Sequence, residues 1–494
     1  MLKIKILSRS SFLAKIQTQM AINAISNKNK NTKIEVVYSD TIGDQDMSPH
    51  AWEKHGFGIF TNSLSQQLVK KNVDLIVHSF KDLPVKNKLK TSFVALQRDD
   101  PRDVLLIKKT SLKKKSLVIG TSSPRRAYYL KLLKNYVPYS SLKSKKIRGN
   151  IQTRLSKIVN NSSEDGVFMS KAAIDRAFLL GPKIDNTIFK QFKKDFKKFT
   201  SVIMPLSQFP AAAAQGCIAL EYRSNNKNLK KILEKINHHE SYQNCVQERK
   251  FLANWGGGCS LDIGATIEQN VYRKILFSRG RDNKTNLYFH NKKYLEKIKA
   301  KKVKNIFPND LKKYQMFHRQ PLVLKKNLNK DVVIVSRANF INKNMFKKDS
   351  YIIASGDSTW KKLNKLGILV NASLDNFGEE YRLPNYTYTQ SLQKPSKLTY
   401  QENKFESHFK KIPHYSLSPS VSRDTIDNIF TAESFYWMSF SAFQLALKLR
   451  PEILNKRNAC GPGNTYKQIS KIIPKEQLNV YLSYEDFIKN ELKI

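Results

Sequence analysis

The sequence predicts an α/β protein, and three observations predict it. Over the first 240 residues, short apolar runs alternate with helix-like stretches, the pattern of stacked α/β layers. Several of these runs pass directly into small polar turns and then into helical periodicity. A second such pattern begins at "DVVIVSR", residue 331.

The elements follow in order. "VDLIVHSFKDLP" reads as a buried strand, Val73 to Val77, running into His78, Ser79, Lys81 and Asp82, with Pro84 closing. In open α/β sheets ligands sit beyond the carboxyl ends of strands, where these polar groups fall. "SLVIGTSSPRRAYYLKLL" repeats the logic: a strand at 117–119, a Gly-Thr-Ser-Ser turn, then Pro124 in a first helical turn. Such a turn presents backbone N–H groups, and Arg125 and Arg126 add positive charge there. "KKIRGNIQTRLSKI" places Arg148 before a Gly-Asn turn and Arg154 early in a helix. "GVFMSKAAIDRA" is a third strand-to-helix passage, ending near Arg176. Arginine offers a planar fork that matches carboxylate or phosphate bidentately, which lysine does not. Cations and small hydroxyls at successive element ends, with the acid Asp82 in the best-placed loop, describe a cleft for a ligand bearing several carboxylates or phosphates. A Walker A loop is absent and no G-x-G-x-x-G follows a strand, which argues against a nucleotide.

Residues 241–320 read as a small α+β domain containing "NWGGGCSLDI", where three glycines precede Cys259. Glycines permit close backbone approach, so the thiol has room beside it. Nucleophile, metal ligand, attachment point and small core residue all remain open for it. The four cysteines, Cys217, Cys245, Cys259 and Cys460, form no C-x-x-C pair, and no His cluster has zinc spacing, so no metal is expected. A lysine-rich stretch near 320–330 reads as a linker. In the second α/β pattern, "YIIASGDSTWKKLNKLG" and "NACGPGNTYKQISKI" resemble each other as strand–turn–helix pieces, and residues 383–420 between them read as irregular linker.

The 494 residues are 40% hydrophobic and 26% charged, which suits a globular chain of several domains. The opening "MLKIKILSRSS" lacks the apolar core of a signal peptide, and no apolar run approaches the roughly 20 residues of a membrane span, so a cytoplasmic location and no membrane contact are expected. The net charge of +47 is mostly lysine, spread beside abundant Asn and Ile, as coding drift in an A/T-rich genome produces. No nucleic-acid-binding motif accompanies it, so no nucleic-acid partner is expected.

In order and spacing, "SRSSFLA", "HSFKDLP", "RDDPRD", "GTSSPRR", "IRGNIQTRLSK", "AAAAQG" and "GGGCS" resemble the hydroxymethylbilane synthase family, also called porphobilinogen deaminase, over the first 320 residues. The resemblance implies two periplasmic-binding-protein-like lobes, 1–97 with 217–240 and 98–216, then a small α+β domain at 241–320 carrying a cofactor cysteine. It implies a dipyrromethane cofactor bound covalently through Cys259, and a monomer that joins four molecules of porphobilinogen head to tail, releasing ammonia and then hydroxymethylbilane in tetrapyrrole (haem) biosynthesis. Asp82 would be the catalytic acid. Arg9, Arg125, Arg126, Arg148 and Arg154, with Arg176 as a further candidate, would bind carboxylates. Lys81, Ser11, Thr121 and Ser123 would make accessory contacts, and Gln215 and Gly216 would line the cleft near the crossover between lobes.

The chain departs from the family pattern in the loop "HGFGIFTNS", where Phe57 stands in place of a lysine and Asn62 and Ser63 replace common Lys and Glu; Ala173 replaces a frequent glycine. Residues 331–494 resemble uroporphyrinogen-III synthase, through "IFTAESFYWMSFSAF" and "ACGPGNTYKQI". That implies either a second, cyclising activity or a non-catalytic domain. The rival from another class is a two-lobed binding protein for polycarboxylates.

Overall fold

The computed structural model describes residues 2–41, 61–84, 89–160, 163–255, 261–269, 272–282, 285–296, 298, 300–323, 328, 332–379, 381–382, 395–402 and 407–493. The chain forms two compact units, 1–134 with 139–268 and 276–293, and 135–138 with 269–275 and 294–494.

In the first unit, β1 (Leu2–Arg9), β2 (Thr32–Ser39), β3 (Leu75–Ser79) and β4 (Thr91–Ala95) make one sheet with β10 (Ile218–Arg223), in the order β2-β1-β3-β10-β4. Here β1 runs parallel to β2 and β3, and β10 is antiparallel to β3 and β4. A second sheet, from β5 (Asp103–Lys108), β6 (Ser116–Gly120), β7 (Ser141–Lys145), β8 (Gly166–Ser170) and β9 (Phe199–Ile203), has the order β7-β6-β8-β5-β9. It repeats the first arrangement: parallel strands, then one reversed strand, β5, against β8 and β9. The reversed strand of the first sheet arrives late in the chain and that of the second arrives early. The chain therefore crosses between the sheets twice, around residues 96–102 and 204–217.

The strands with helices on both faces are apolar without alternation. Leu75, Ile76 and Val77 in β3, and Val167, Phe168 and Met169 in β8, are all buried. Helix α1 (Phe12–Lys28) packs Ala21 and Ile25 on Ile4, Ile6 and Leu75, and α7 (Lys227–Glu234) adds Leu229 and Leu233 to that core. α2 (Asn62–Val69) covers Ile76 with Leu64 and Leu68. Helices α3 (Pro124–Leu133), α4 (Ile151–Asn160), α5 (Lys171–Ile184) and α6 (Asn186–Phe196) belong to the second sheet's layer. α8 (His239–Ala253) leads to a three-stranded sheet of β11 (Gly264–Gln269), β12 (Lys274–Arg281) and β13 (Tyr288–Tyr294).

The second unit holds two sheets. β14 (Ile306–Phe307), β21 (Ser434–Trp437), β22 (Arg457–Cys460) and β23 (Leu478–Val480) are all parallel. Phe307, Phe435, Trp437 and Phe443 fill their core, with α10 (Arg423–Thr431), α11 (Phe440–Leu449), α12 (Asn464–Ile469) and α13 (Tyr484–Glu491) alongside. The other sheet has the order β15-β20-β19-β16-β17-β18, from β15 (Phe317–Pro321), β16 (Val332–Val335), β17 (Tyr351–Ala354), β18 (Ala372–Ser373), β19 (Ser396–Tyr400) and β20 (Lys410–Pro419), with α9 (Asp357–Lys365) after β17. The expectation of irregular linker over 383–420 is thus corrected: β19 and β20 lie within it. Their Pro, Ser and Tyr content hid them, because β20 carries Pro413 and Pro419 and alternates only weakly. The two similar strand–turn–helix pieces are β17–α9 and β22–α12, one in each sheet.

Two glycines join these sheets. A Cβ on Gly378 would stand 2.7 Å from the Gly463 Cα, and one on Gly463 would stand 2.8 Å from the Gly378 Cα. Both also have φ in the left-handed region, +98° and +87°, which L side chains rarely adopt. Beside them, Glu379 accepts hydrogen bonds from Lys397, Ser407 and Asn464.

Candidate active site

Asp82 ends a 3-10 turn, Phe80–Asp82, that continues directly from β3. The turn is held from behind. Arg249 of α8 donates to the Phe80 carbonyl oxygen at 3.0 Å and to those of Leu83 and Pro84 at 2.6 Å each, with its guanidinium 5.8 Å from the Phe80 ring centre. The half-buried Asp82 carboxylate itself has no hydrogen-bond or ion-pair partner among the described residues. A fixed backbone carrying an uncommitted acid at a strand's carboxyl end is a group placed to act on something else.

Beneath it β3 is pinned through a buried cluster. Glu221 of β10 meets the His78 Nε2 at 2.9 Å and accepts from Ser65 and Thr91 at 2.7 Å each. Burial alone would push the Glu221 carboxyl up, but these bonds hold it below the usual range.

The arginines divide into two kinds. Arg125 and Arg126, in the first turn of α3, both reach the fully buried Asp103 of β5, at 2.6 and 2.7 Å, and the Gln215 Nε2 donates to the same carboxylate at 2.9 Å. Burial would push the Asp103 carboxyl up, and the two guanidiniums override it and hold it well below the usual carboxylate range. Arg176 is likewise committed, to Asp99 at 2.7 Å and the Gly216 carbonyl at 2.8 Å. Gly216 has φ +85° and would place a Cβ 2.8 Å from the Asp99 carbonyl, so Gln215, Gly216 and Arg176 serve the crossover backbone. Arg154 differs. Its Nε donates to the Gly149 carbonyl at 2.7 Å, no acid faces it among the described residues, and burial with the nearby charges of Arg126 and Arg148 pushes its pKa down to about 10. It stays fully charged at neutral pH, and Arg126, Arg148 and Arg154 together concentrate positive charge.

Ser11 and Ser123 cap α1 and α3 through bonds from the Ala14 and Arg126 amides, and the Thr121 Oγ1 accepts from the Ser123 amide at 3.2 Å. Arg9 ends β1, and Lys81 lies in the same turn as Asp82; both are half-buried. Cys259 and its glycines, 256–260, lie outside the described residues, as does Phe57. The chain on the far side of that loop is nonetheless placed. Gly264 packs so tightly on Pro210 that a Cβ would come within 2.1 Å of its carbonyl oxygen, and the Ala265 amide donates to Ala211 at 3.0 Å. That Pro210 oxygen also accepts from Arg125 at 3.1 Å and from the Tyr129 hydroxyl at 2.8 Å. The segment entering β11, five residues past Cys259, is therefore anchored beside the arginine helix.

Sequence reasoning missed Asp103, Arg249 and Glu248. Glu248 of α8 pairs with Arg98 at 2.5 Å and accepts from the Ala214 and Ile267 amides, tying the crossover to β11. The acids of "RDDPRD" were the available signal: Asp99, Asp100 and Asp103 pair with Arg176, Arg102 and the Arg125–Arg126 couple.

Residues 4–231 match the family described as porphobilinogen deaminase, dipyromethane cofactor binding domain. A probable porphobilinogen deaminase of Picrophilus torridus is 33% identical over 302 residues, 60% of this chain and 97% of its own length. The chain belongs to the porphobilinogen deaminase family. The porphobilinogen deaminase of Alkaliphilus metalliredigens is 33% identical over 54% of this chain and 78% of its own, and the probable enzyme of Methanocaldococcus jannaschii 32% over 55% and 85%. Among solved structures, the methionine binding protein MetQ covers 49% of this chain and 94% of its own, with a TM-score of 0.28 and 12% identity, too slight a likeness to bear on the site. The polycarboxylate binding-protein reading is not favoured by these matches.

The matched family domain binds dipyrromethane, and the residues present fit such a group. A pyrrole cofactor bearing carboxylates needs cations without acids beside them, as at Arg154, and an acceptor for its ring N–H groups, as at Asp82. Among the described residues no helix is long and apolar enough to cross a membrane, and no group of three or more His, Cys, Asp or Glu side chains could hold a metal ion.

Proposed function

We propose that the chain is a hydroxymethylbilane synthase, a transferase that condenses four porphobilinogen molecules head to tail and then releases hydroxymethylbilane. The observation that carries this is the uncommitted Asp82 carboxylate on a turn clamped by Arg249, within a unit that also gathers Arg126, Arg148 and Arg154. Cys259 would hold the dipyrromethane through a thioether, with its glycines leaving space for a ring. When bound, the cofactor supplies the pyrrole end from which the chain grows.

Each remaining role belongs to this protein's side chains. Asp82 accepts from the pyrrole N–H groups and stabilises the positive charge that develops as ammonia leaves the substrate aminomethyl group. Arg154, with Arg148 and Arg126, binds the acetate and propionate groups and so fixes which carbon faces the acid. Asp103 keeps Arg125 and Arg126 in rotamers that direct the rest of each guanidinium's donors. Arg9, Lys81 and Thr121 contribute at neighbouring strand ends.

Intact mass and turnover test the proposal together. Cys259→Ser should fold without covalent pyrrole, whereas Asp82→Ala should keep the cofactor mass and lose about 10²–10⁴-fold in ammonia release. A cofactor mass increment retained in Cys259→Ser would refute the tether. Near-normal release by Asp82→Ala would refute the acid.

A second reading concerns residues 331–494, as a uroporphyrinogen-III-synthase-like domain that closes the linear product. It is supported by two mainly parallel sheets whose strands β16, β17, β21 and β22 each end in small polar or glycine turns, joined at the Gly378–Gly463 contact. Feeding porphobilinogen to the full chain decides it: hydroxymethylbilane left alone closes to the type I isomer, so type III product would support cyclisation and type I alone would leave a non-catalytic domain.

A further inference from the structure

Within the first unit, helix α1 belongs to one sheet and touches the layer of the other. Its Ala21 and Ile25 lie on Ile4, Ile6 and Leu75 of the first sheet. Its first residue, Phe12, is buried as well, although it stands only three residues past the end of β1. The second sheet's layer takes up that ring. A Cβ on Gly181 of α5 would stand 3.1 Å from the Phe12 Cζ and 2.9 Å from the Phe189 ring of α6.

Glycine and proline are the poorest helix formers, yet α5 runs through Gly181 and Pro182 to Ile184. The packing explains the glycine, since two aromatic rings close on bare backbone where a methyl group would sit. The socket is itself built of rings. Phe178 of α5 meets Phe189, Phe192 and Phe196 edge-on, with ring centres 5.8, 5.7 and 5.2 Å away.

The same helix is tied to the turn that carries Asp82. The buried Gln17 donates from Nε2 to the Ser79 Oγ at 3.0 Å, and Ser79 ends β3 immediately before the Phe80–Asp82 turn. Arg9 and Ser11 directly precede the helix. One element therefore links Arg9, Ser11 and the Asp82 turn to the layer in which α3 and α4 carry Arg126 and Arg154. Two chain crossings by themselves leave a pair of lobes free to turn about them. A close-packed aromatic knob removes that freedom, because packed interiors do not deform continuously.

We propose that Phe12 is a positioning residue, whose seat against Gly181 and Phe189 fixes the spacing of the two sheets and so the distance from Asp82 to the arginines of α3 and α4. Its effect on turnover rests on the synthase reading; the spacing itself does not.

The test uses the full chain purified with its cofactor. Spin labels at Lys70→Cys and Lys113→Cys, both exposed and one beside each sheet, report the spacing by pulsed electron resonance. Phe12→Ala should broaden the distance distribution, and Gly181→Ala should shift it by forcing the rings off the backbone. Both should lower kcat/KM for ammonia release by about tenfold to a hundredfold, the effect of a misplaced acid. Phe12→Met, which keeps the volume, should restore most of both readouts. Phe196→Leu is the control: it thins the same ring cluster and should lower the melting temperature while leaving the distances and kcat/KM as they were. Unchanged distances in both Phe12→Ala and Gly181→Ala, or an equal change in Phe196→Leu, would overturn the spacing role. Altered distances with normal kcat/KM would overturn the positioning role. If the unsubstituted chain releases no ammonia at all, it is the synthase reading that fails, and the distances still decide the spacing.

Discussion

Arg125 meets Asp103 at 2.6 Å with neither side chain open to water, and Arg126 shares the same carboxylate. A single buried acid thus holds two cations in the first turn of α3. Asp103→Asn should leave those charges uncompensated and cost about 3–5 kcal/mol. The pH dependence has a definite sign. Because the native carboxyl is held below its unfolded value, its stabilisation is present above about pH 4 and drains away as the pH falls towards the depressed native pKa. Urea midpoints between about pH 6 and pH 2 should therefore fall more steeply in the wild type than in Asp103→Asn. Parallel acid limbs would remove Asp103 from this role.

Arg249 never touches the reacting groups, yet it fixes the turn that carries Asp82. Arg249→Met removes a charged donor from four carbonyl oxygens and should destabilise by about 2–4 kcal/mol. Turnover should drop about tenfold to a hundredfold through misplacement of the acid. Adding Arg249→Met to Asp82→Ala should lower ammonia release little further, a non-additivity that a double-mutant cycle measures.

Arg154 is the opposite case, a cation whose surroundings disfavour its charge. Arg154→Gln should leave the urea midpoint unchanged or raised while increasing KM for porphobilinogen about tenfold, the loss of one charged contact. A clear loss of stability with normal KM would make it a structural residue.

Gly463→Ala should act on the second unit alone. The left-handed φ and the 2.8 Å approach to Gly378 leave no room for a methyl group, and the strain should amount to about 1–3 kcal/mol. Hydrogen exchange around Arg457–Cys460 and Asn464–Ile469 should rise, with ammonia release unaffected.

How far the sequence reaches can be seen from particular elements. β3 and β8 are legible because strands covered on both faces are uninterrupted apolar runs, and α3 because Pro124 and a serine cap mark its start. β19 and β20 are not legible, since their pairing is decided by neighbours far along the chain and β20 contains two prolines. At the site, Asp82 and the arginines stand out by residue type and position. Arg249 does not, because its hydrogen bonds go to backbone carbonyls 165 to 169 residues away, which no local pattern records.

The sequence by itself determined the α/β class, the strand-end placement of Asp82, the helix-start placement of Arg125, Arg126 and Arg154, and, through its ordered motifs, the family. These depend on local periodicity and side-chain chemistry, both of which are written residue by residue. The tertiary structure alone decided which arginines pair with Asp99 and Asp103 and which face no acid among the described residues. Charge balance is a property of groups brought close by folding, and no count along the chain contains it.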